Sequence, residues 1–257
     1  MSNYPTEDSA DSVRVALADL AGASSWLRLN VDAVHVWFAD LNRHSADDLK
    51  QLLAADEIAR ADRFRFARDR NHYIVARAIL RTLLAAYSGS AAHEVQFGYA
   101  EKGKPSLSAA ENNLLNFNLA HSHGKVVYAF ALGRALGIDL EFVREDFAGE
   151  DIADRFFSRA EIAALRNIPA DLRKQAFFNC WTRKEAYIKA RGEGLSMPLD
   201  AFDVSLEPGQ PALFLRNHQE PGEVERWCMR ALSAPDGYVA ALVVEGQSWE
   251  LKSFTID

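Results

Sequence analysis

Two groups of charged residues, far apart along the chain, have the types and spacing that metal-assisted phosphate chemistry needs. Glu185 lies between Lys184 and Lys189 in a segment whose pattern is typical of a helix. Asp139 and Glu141 are two positions apart in an apolar segment that predicts a strand, so their carboxylates would project from the same face. Carboxylates beside lysines suit a hard divalent cation that holds a polyphosphate. The combination indicates phosphate-group transfer rather than a passive scaffold.

Each group also has an ordinary structural interpretation. Glu185 and Lys189 have the i, i+4 spacing of a surface helical ion pair, which is worth only a few tenths of a kcal/mol. Asp139 and Glu141 on their own are typical of a strand end that faces water. The chemical interpretation gains support because the predicted helix also carries a large apolar face, which implies that part of it is packed. This face consists of Phe177, Phe178, Trp181 and Ile188.

Further basic residues could bind an anion, although solvent-facing roles remain open for all of them. Lys104 lies in a Gly- and Pro-containing turn, and His121 precedes a predicted hairpin bend. A histidine can donate a hydrogen bond to phosphate, but a structural role is commoner. A dense arginine run is interleaved with Phe64 and Phe66, and it predicts either a solvated helix face or a patch for an anionic ligand or acidic partner. The run consists of Arg60, Arg63, Arg65, Arg68 and Arg70.

The hydrophobic pattern predicts the helices and strands that must position these groups. Predicted strands cover 31–38, 95–99, 115–119, 126–130 and 137–143, with others near 202–207, 212–215, 224–232 and 238–245. Predicted helices cover roughly 45–54, 56–87 and 170–191, the second broken near Arg68 and Asp69 and the third ended by Gly192. Ser158 and Glu161 have the spacing of a capping box that begins a helix.

The two halves of the chain have a similar order of predicted elements. The tripeptide Glu-Ile-Ala at 57–59 recurs at 161–163, an offset of 104 that places Arg81 on Glu185. We therefore expect an α+β fold with two pseudo-equivalent lobes, 26–132 and 133–257, after a flexible segment over 1–25. Each lobe would pack a small, mainly antiparallel sheet against a long helix, with a cleft between the lobes.

Composition excludes several other classes of protein. The 257 residues carry a formal net charge of −7, which argues against broad nonspecific nucleic-acid binding. The two cysteines are far apart, so a zinc site or disulfide framework is not expected. No apolar run is long enough to span a membrane and no secretion signal is evident, so we expect a cytoplasmic protein. Phosphate-binding Walker loops, nucleophile elbows and His-Glu-x-x-His pairs are absent from the sequence.

Five motifs in the right order resemble those of the 4′-phosphopantetheinyl transferases, in the larger class whose single chain holds two fused lobes. The motifs are Gly103–Pro105, Phe117–Ser122, Gly137–Glu141, Phe156–Glu161 and Trp181–Lys189. Together the resemblance covers roughly residues 30–245. One departure is Ala120, which stands where many members of the family have Ser. That difference removes a hydroxyl near the expected 3′-phosphate site and leaves the acidic residues untouched.

The resemblance implies transfer of 4′-phosphopantetheine from coenzyme A to a serine of an apo acyl or peptidyl carrier protein, with release of adenosine 3′,5′-bisphosphate. It implies a Mg²⁺ ion held by Asp139, Glu141 and Glu185. We expect Glu185 to act as general base and Lys189 to stabilise the departing phosphate. Residues expected to contact coenzyme A are Arg60, Arg68, Lys104, His121, Lys184 and Lys189.

Two other functions remain compatible with the same residues. A metal-dependent phosphohydrolase or nuclease also needs clustered carboxylates and a lysine, although the acidic net charge disfavours it. A catalytically inactive module that binds coenzyme A or a carrier protein is the second alternative, and retention of all three acidic residues disfavours it. The sequence does not indicate which fatty-acid, polyketide or nonribosomal-peptide carrier is served, and two fused lobes make a monomer sufficient.

Overall fold

A computed structural model describes residues 12–20, 27–99, 105–107, 114–144, 149–192, 194 and 197–257. The strands in these residues are β1 Val13–Val15, β2 Ala33–Asp40, β3 Phe97–Tyr99, β4 Pro105–Leu107, β5 Leu115–Ser122, β6 Lys125–Leu132, β7 Leu136–Phe142, β8 Phe202–Val204, β9 Phe214–Asn217, β10 Trp227–Leu232, β11 Tyr238–Glu245 and β12 Glu250–Ile256. The helices are α1 Ala46–Leu49, α2 Ala55–Ala61, α3 Ala67–Ser88, α4 Glu150–Phe156, α5 Arg159–Asn167, α6 Ala170–Arg191 and α7 Glu223–Arg226.

The first lobe packs α3 against a five-stranded sheet with the order β1-β12-β2-β6-β5. The alternation of side chains along β2 sends His35 and Trp37 toward the helix, where Trp37 is fully buried. Tyr128 and Phe130 of β6 and Ile79 of α3 belong to the same core. Gly89 ends α3 in the left-handed conformation, which glycine adopts without steric cost.

The second lobe packs α6 against a three-stranded antiparallel sheet with the order β10-β11-β7. Its core contains Tyr187 and Phe177 of α6 together with Val243 of β11. Helix α6 begins and ends where the sequence predicts, and Gly192 closes it in the left-handed conformation. The capping box of Ser158 and Glu161 is also confirmed at the start of α5.

The two sheets face one another through a third apolar layer. Val36 of β2, Ala129 of β6, Ile138 of β7 and Leu242 of β11 are completely buried in this layer. Strand β5 lies next to β7 across the junction, although the two strands belong to different sheets. The predicted fold class, two α/β lobes that each combine a small sheet with a long helix, is confirmed.

The internal repeat has a structural basis that differs from the expected alignment. Glu57 accepts a hydrogen bond from the Ala54 amide at 2.8 Å and pairs with Arg81 of α3 at 2.6 Å. Glu161 caps α5 in the same way and pairs with Lys184 of α6 at 2.8 Å. The 22-residue helix α6 follows the 22-residue helix α3 by one position fewer than Glu161 follows Glu57. Arg81 therefore corresponds to Lys184 and not to Glu185.

Three expectations about the organisation of the chain need correction. Strand β12 at the end of the chain pairs in parallel with β2, so a division at residue 132/133 does not separate the two sheets. Val13–Val15, in the segment expected to be flexible, forms β1 and pairs with β12. The break in the second helix falls at 62–66 rather than near Arg68 and Asp69, since α2 ends at Ala61 and α3 begins at Ala67. No helix in the described ranges is both long and apolar enough to cross a membrane.

His35 is expected to make the stability of the first lobe depend on pH. Its side chain is 2% exposed, and burial, followed by the charge of Lys252, lowers its pKa from 6.5 to about 4. Between these values the unfolded chain binds a proton that the folded protein does not, so the free energy of unfolding falls as the pH falls. We expect a loss of about 2 kcal/mol between pH 7 and pH 5.

Urea denaturation of the wild type and of His35→Phe at both pH values measures this contribution. The variant cannot titrate at this position, so the difference between the two pH dependences isolates His35 from other groups. Equal pH dependences for the two proteins would show that His35 does not contribute. His35 Nδ1 lies 2.8 Å from the Tyr87 hydroxyl, so a constant loss of stability in the variant is expected at both pH values and does not affect the comparison.

Candidate functional site

The candidate site forms where α6 crosses β7, and a glycine permits the close approach of the two elements. Gly137 has no side chain, and a Cβ atom there would overlap the Ala186 carbonyl oxygen and the Ala190 amide nitrogen. It would also lie 2.8 Å from the carbonyl carbon of Lys189. The backbone of α6 therefore rests directly on β7, which brings Lys189 to the strand face that carries Asp139.

Asp139 and Lys189 form the centre of this site. Lys189 Nζ lies 2.7 Å from Asp139 Oδ1 and 3.3 Å from the Ile138 carbonyl oxygen. Asp139 is only 5% exposed, and its second oxygen, Oδ2, is buried with no hydrogen-bond partner among the described residues. A buried carboxylate oxygen without a partner is costly, so this atom is a strong candidate for binding a ligand.

Glu185 and Glu141 are half-buried and share the electrostatic environment of Asp139. Desolvation, followed by the negative charge of Asp139, raises the pKa of Glu185, while the Lys189 ammonium opposes the shift. Desolvation and Asp139 also raise the pKa of Glu141, against the effect of a 3.0 Å hydrogen bond from the Ser122 hydroxyl. Both shifts arise first from burial and then from the negative charge of Asp139, and a bound cation would oppose both effects.

The acidic side chains at this site have the donor chemistry of a divalent-cation site but not a preformed coordination geometry. Within the described ranges, no three His, Cys, Asp or Glu side chains are arranged as a ready metal site. The chemistry of the donors nevertheless fits a hard cation, because Asp139 Oδ2 is unpartnered and both neighbouring carboxylates have raised pKa values. Carboxylate oxygens are the ligands that Mg²⁺ prefers. The three acidic residues thus share one electrostatic environment.

Basic groups of the first lobe interact electrostatically with Lys189. Desolvation lowers the pKa of His121, at the end of β5, and the charges of Lys189 and His72 lower it further. The pKa of His72 is lowered by desolvation and then by Arg68, which is exposed on the first turn of α3. Lys189 and Arg68 are the charged groups in this series of couplings. The lowered pKa values favour the neutral form of the two histidines between them, which can still donate a hydrogen bond to an anionic ligand.

Arg60 lies in a separate surface cavity of about 600 Å³ that Asp56, Arg63 and Phe64 also line. Its guanidinium is 5.6 Å from the ring centroid of Tyr73. The structure does not give Arg60 a contact with the cluster around Asp139. Lys104 lies outside the described residues.

Lys184 does not join the site, contrary to the expectation from the sequence. Its side chain is fully buried, where Nζ pairs with Glu161 and donates to the carbonyl oxygens of Leu199 and Phe202 at 2.7 and 2.6 Å. An ammonium with these partners in the core of the second lobe has no access to a phosphate. The physical reason is helical geometry, because Lys184 and its neighbour Glu185 point about 100° apart around α6.

Two residues on β5 contribute to the site although the sequence analysis assigned them no role. Asn118 Oδ1 accepts a hydrogen bond from the Ile138 amide at 2.9 Å, and Ser122 Oγ accepts one from the Phe142 amide at 3.2 Å. These bonds tie β5 of the first sheet to β7 of the second. Both residues lie in the Phe117–Ser122 motif, but the sequence does not show these bonds, because contact between two sheets depends on the tertiary fold.

Comparisons with known proteins identify the family. A family model described as the 4′-phosphopantetheinyl transferase superfamily matches residues 135–243, and one described as 4′-phosphopantetheinyl transferase, N-terminal, matches 42–132. The 4′-phosphopantetheinyl transferase HetI of Nostoc sp. is 38% identical over 230 residues, which cover 88% of this chain and 93% of the relative.

Two further relatives are similar over most of their length. The 4′-phosphopantetheinyl transferase psf-1 of Bacillus pumilus is 32% identical, with 73% of this chain and 78% of the relative covered. The 4′-phosphopantetheinyl transferase Sfp of Bacillus subtilis is 28% identical, with 70% and 79% covered. The chain therefore belongs to the 4′-phosphopantetheinyl transferase family, in the larger class of enzymes that hold both lobes in one polypeptide.

Proposed function

We propose that this enzyme transfers 4′-phosphopantetheine from coenzyme A to a serine of an apo acyl or peptidyl carrier protein in a Mg²⁺-dependent reaction. The serine oxygen forms a bond to the phosphorus on the pantetheine side of the diphosphate. The bond from that phosphorus to the bridging oxygen breaks, and adenosine 3′,5′-bisphosphate leaves. The observation that carries the proposal is the buried, unpartnered oxygen of Asp139 beside Lys189, in a chain that covers 93% of a named transferase.

Asp139, Glu141 and Glu185 are the residues that would hold the cation. When bound, Mg²⁺ supplies charge neutralisation on the diphosphate and polarises the phosphorus toward attack. Desolvation and the raised pKa values of Glu141 and Glu185 support this assignment, because neither group is well accommodated as an isolated anion in its present environment.

Glu185 is the proposed general base that accepts the proton of the carrier serine. A carboxylate held at the site beside Asp139 can accept this proton as the serine oxygen attacks, which is the ordinary role of a general base. Lys189 lies one helical turn away on the same face of α6 and would stabilise the negative charge that develops on the departing bisphosphate. Its present bond to Asp139 keeps the ammonium at the site before substrate binds.

The anionic groups of coenzyme A are proposed to contact Arg68 and His121 of the first lobe and Lys189 of α6. His121 is coupled to Lys189 and to His72, and His72 is coupled to Arg68, which supports these assignments. Arg60 is retained as a contact for a more distant phosphate, and Lys104 is retained from its motif alone. Lys184 is left out because its ammonium is bonded within the core.

His121→Ala is expected to raise the KM for coenzyme A about tenfold, which corresponds to the loss of one charge-assisted hydrogen bond. The turnover at saturating coenzyme A should change little, since His121 is assigned to binding and not to proton transfer. Steady-state kinetics with an apo-carrier protein measure both quantities. His93→Ala, an exposed histidine between α3 and β3, is the matched control. An unchanged KM in His121→Ala would remove His121 from the proposed binding set.

One experiment tests the function as a whole. The protein is incubated with coenzyme A, Mg²⁺ and an apo-carrier protein, and the intact carrier is weighed by mass spectrometry. A mass gain equal to one phosphopantetheine group is the expected result. Binding of coenzyme A or carrier without a gain would instead support an inactive binding module. Cleavage of nucleic acid or a phosphoester, without a gain, would support a metal-dependent hydrolase.

A further inference from the structure

Ser122 connects the two sheets at the position of a candidate metal ligand. It is the last residue of β5 in the first sheet, and its hydroxyl lies 3.0 Å from Glu141 Oε2 on β7 of the second. The same hydroxyl accepts the Phe142 amide at 3.2 Å. One side chain of the first lobe therefore contacts both the backbone and a carboxylate of the strand that carries Asp139.

The direction of these bonds follows from the available protons. The Phe142 amide can only donate, so it occupies a lone pair of Ser122 Oγ. The single hydroxyl proton is then left for an acceptor, and the Glu141 carboxylate at 3.0 Å is the nearer candidate. His123 Nδ1 lies farther away at 3.3 Å. A hydrogen bond to an ionised carboxylate is also stronger than one to a neutral ring nitrogen, so the proton is committed to Glu141.

A second tie on the same strand helps to separate two effects of Ser122. Asn118 Oδ1 accepts the Ile138 amide at 2.9 Å, so amides on both sides of Asp139 and Glu141 are bonded to β5. Asn118 has no bond to Glu141 in the structure. Asn118 therefore only anchors β7 to β5, whereas Ser122 both anchors β7 and orients the Glu141 carboxylate.

We propose that Ser122 is a positioning residue that orients Glu141 for the divalent cation. The hydroxyl holds Oε2, which fixes the side chain and leaves Oε1 for coordination. Without this bond, the glutamate regains rotamer freedom that must be lost again when the cation binds. Partners that bond to metal ligands in this way commonly contribute about 10- to 100-fold in metal affinity. The inference rests on the proposed Mg²⁺ site and assigns a role to a residue outside its ligand set.

The test measures cation binding directly and does not depend on turnover. Mn²⁺ is titrated into the full-length protein with saturating coenzyme A and no carrier, and free Mn²⁺ is followed by electron paramagnetic resonance. Ser122→Ala is expected to bind Mn²⁺ about tenfold more weakly than the wild type. Ser122→Thr keeps the hydroxyl and is expected to retain affinity within about threefold of the wild type. Circular dichroism melting of each variant verifies that it is folded.

Two matched variants distinguish orientation from other causes. Ser253→Ala removes a half-buried serine from β12 and is expected to leave Mn²⁺ affinity unchanged. Asn118→Ala removes the other tie to β7 and is expected to lower the melting temperature with little change in Mn²⁺ affinity. An equal loss of affinity in Asn118→Ala and Ser122→Ala would overturn the proposal, because strand anchoring would then explain both.

Failure of this inference and failure of the proposed function give different results. If Ser122→Ala is folded and binds Mn²⁺ as tightly as the wild type, Ser122 has no positioning role, while the metal site itself stands. If the wild-type protein with coenzyme A binds no Mn²⁺, the metal site of the proposed function is wrong and the role of Ser122 is overturned with it.

Discussion

Glu185→Gln is expected to lower the rate of phosphopantetheine transfer about a thousandfold while leaving the protein folded. The substitution preserves the size of the side chain and removes its ability to accept a proton as a carboxylate. It also weakens a candidate cation ligand whose pKa is raised by desolvation and by Asp139. Transfer to an apo-carrier, followed by mass spectrometry at saturating Mg²⁺ and coenzyme A, measures the loss.

Stability should respond differently from activity in this variant. A half-buried carboxylate beside Asp139 has an unfavourable interaction in the folded protein, so its neutral amide is expected to maintain or raise the melting temperature. Asp139→Asn should lose activity to a similar extent but should also leave Lys189 without its 2.7 Å ionic partner. Glu225→Gln, at an exposed position of α7, is the matched control. Near wild-type turnover in Glu185→Gln would reject its assignment as base and ligand.

Helical periodicity explains why Lys189 lies beside Asp139 while Lys184 is buried in the core of the second lobe. Glu185 and Lys189 are four residues apart and share a face of α6, so their common contribution to one environment followed from spacing. Lys184 is four residues from both Cys180 and Ile188, which are buried in the core of the second lobe. The same spacing therefore predicts that Lys184 points into the core. The resemblance of this segment to the family motif led instead to the expectation that Lys184 contacts coenzyme A.

The return of β12 to the first sheet could not be predicted from local pattern. Residues 250–256 pair in parallel with β2, which lies more than two hundred residues earlier in the sequence. A strand pattern gives the alternation of side chains but does not identify the partner strand. The contact between Ser122 and Glu141 has the same origin, because it depends on how β5 of one sheet meets β7 of the other. The predicted fold class was correct because it depends on the helices and strands themselves, which local patterns indicate, and not on which strands pair.

The grouping of Asp139, Glu141 and Glu185 could be predicted from the sequence only in part. The strand period correctly places the first two on one face, and the electrostatic coupling of Glu185 to Asp139 agrees with the expected convergence. The sequence does not encode how closely the helix approaches the strand. That distance depends on the absence of a side chain at Gly137, so a substitution there is expected to disturb the site.

Gly137→Ala is expected to reduce both stability and activity strongly. The added methyl group would overlap the backbone of α6 at Ala186 and Ala190, and neither helix backbone nor strand can move without disturbing the core. We expect a loss of about 3 kcal/mol in the free energy of unfolding. A displacement of about 1 Å of the helix that carries Glu185 and Lys189 should reduce transfer about a hundredfold in the molecules that remain folded.

Two measurements separate the effect on stability from the effect on activity. Urea denaturation gives the free energy of unfolding, and the rate of carrier modification is measured at a temperature where the variant is folded. Gly222→Ala is the matched control, because a Cβ atom there meets no heavy atom within 4 Å. If Gly137→Ala loses stability but retains full turnover, the helix has moved without disturbing the catalytic groups, and their geometry must be less demanding than proposed. If it loses neither, α6 does not rest on β7 as closely as the structure indicates. Reduced turnover in a folded variant would instead link the missing side chain at Gly137 to the chemistry at Asp139 and Glu185.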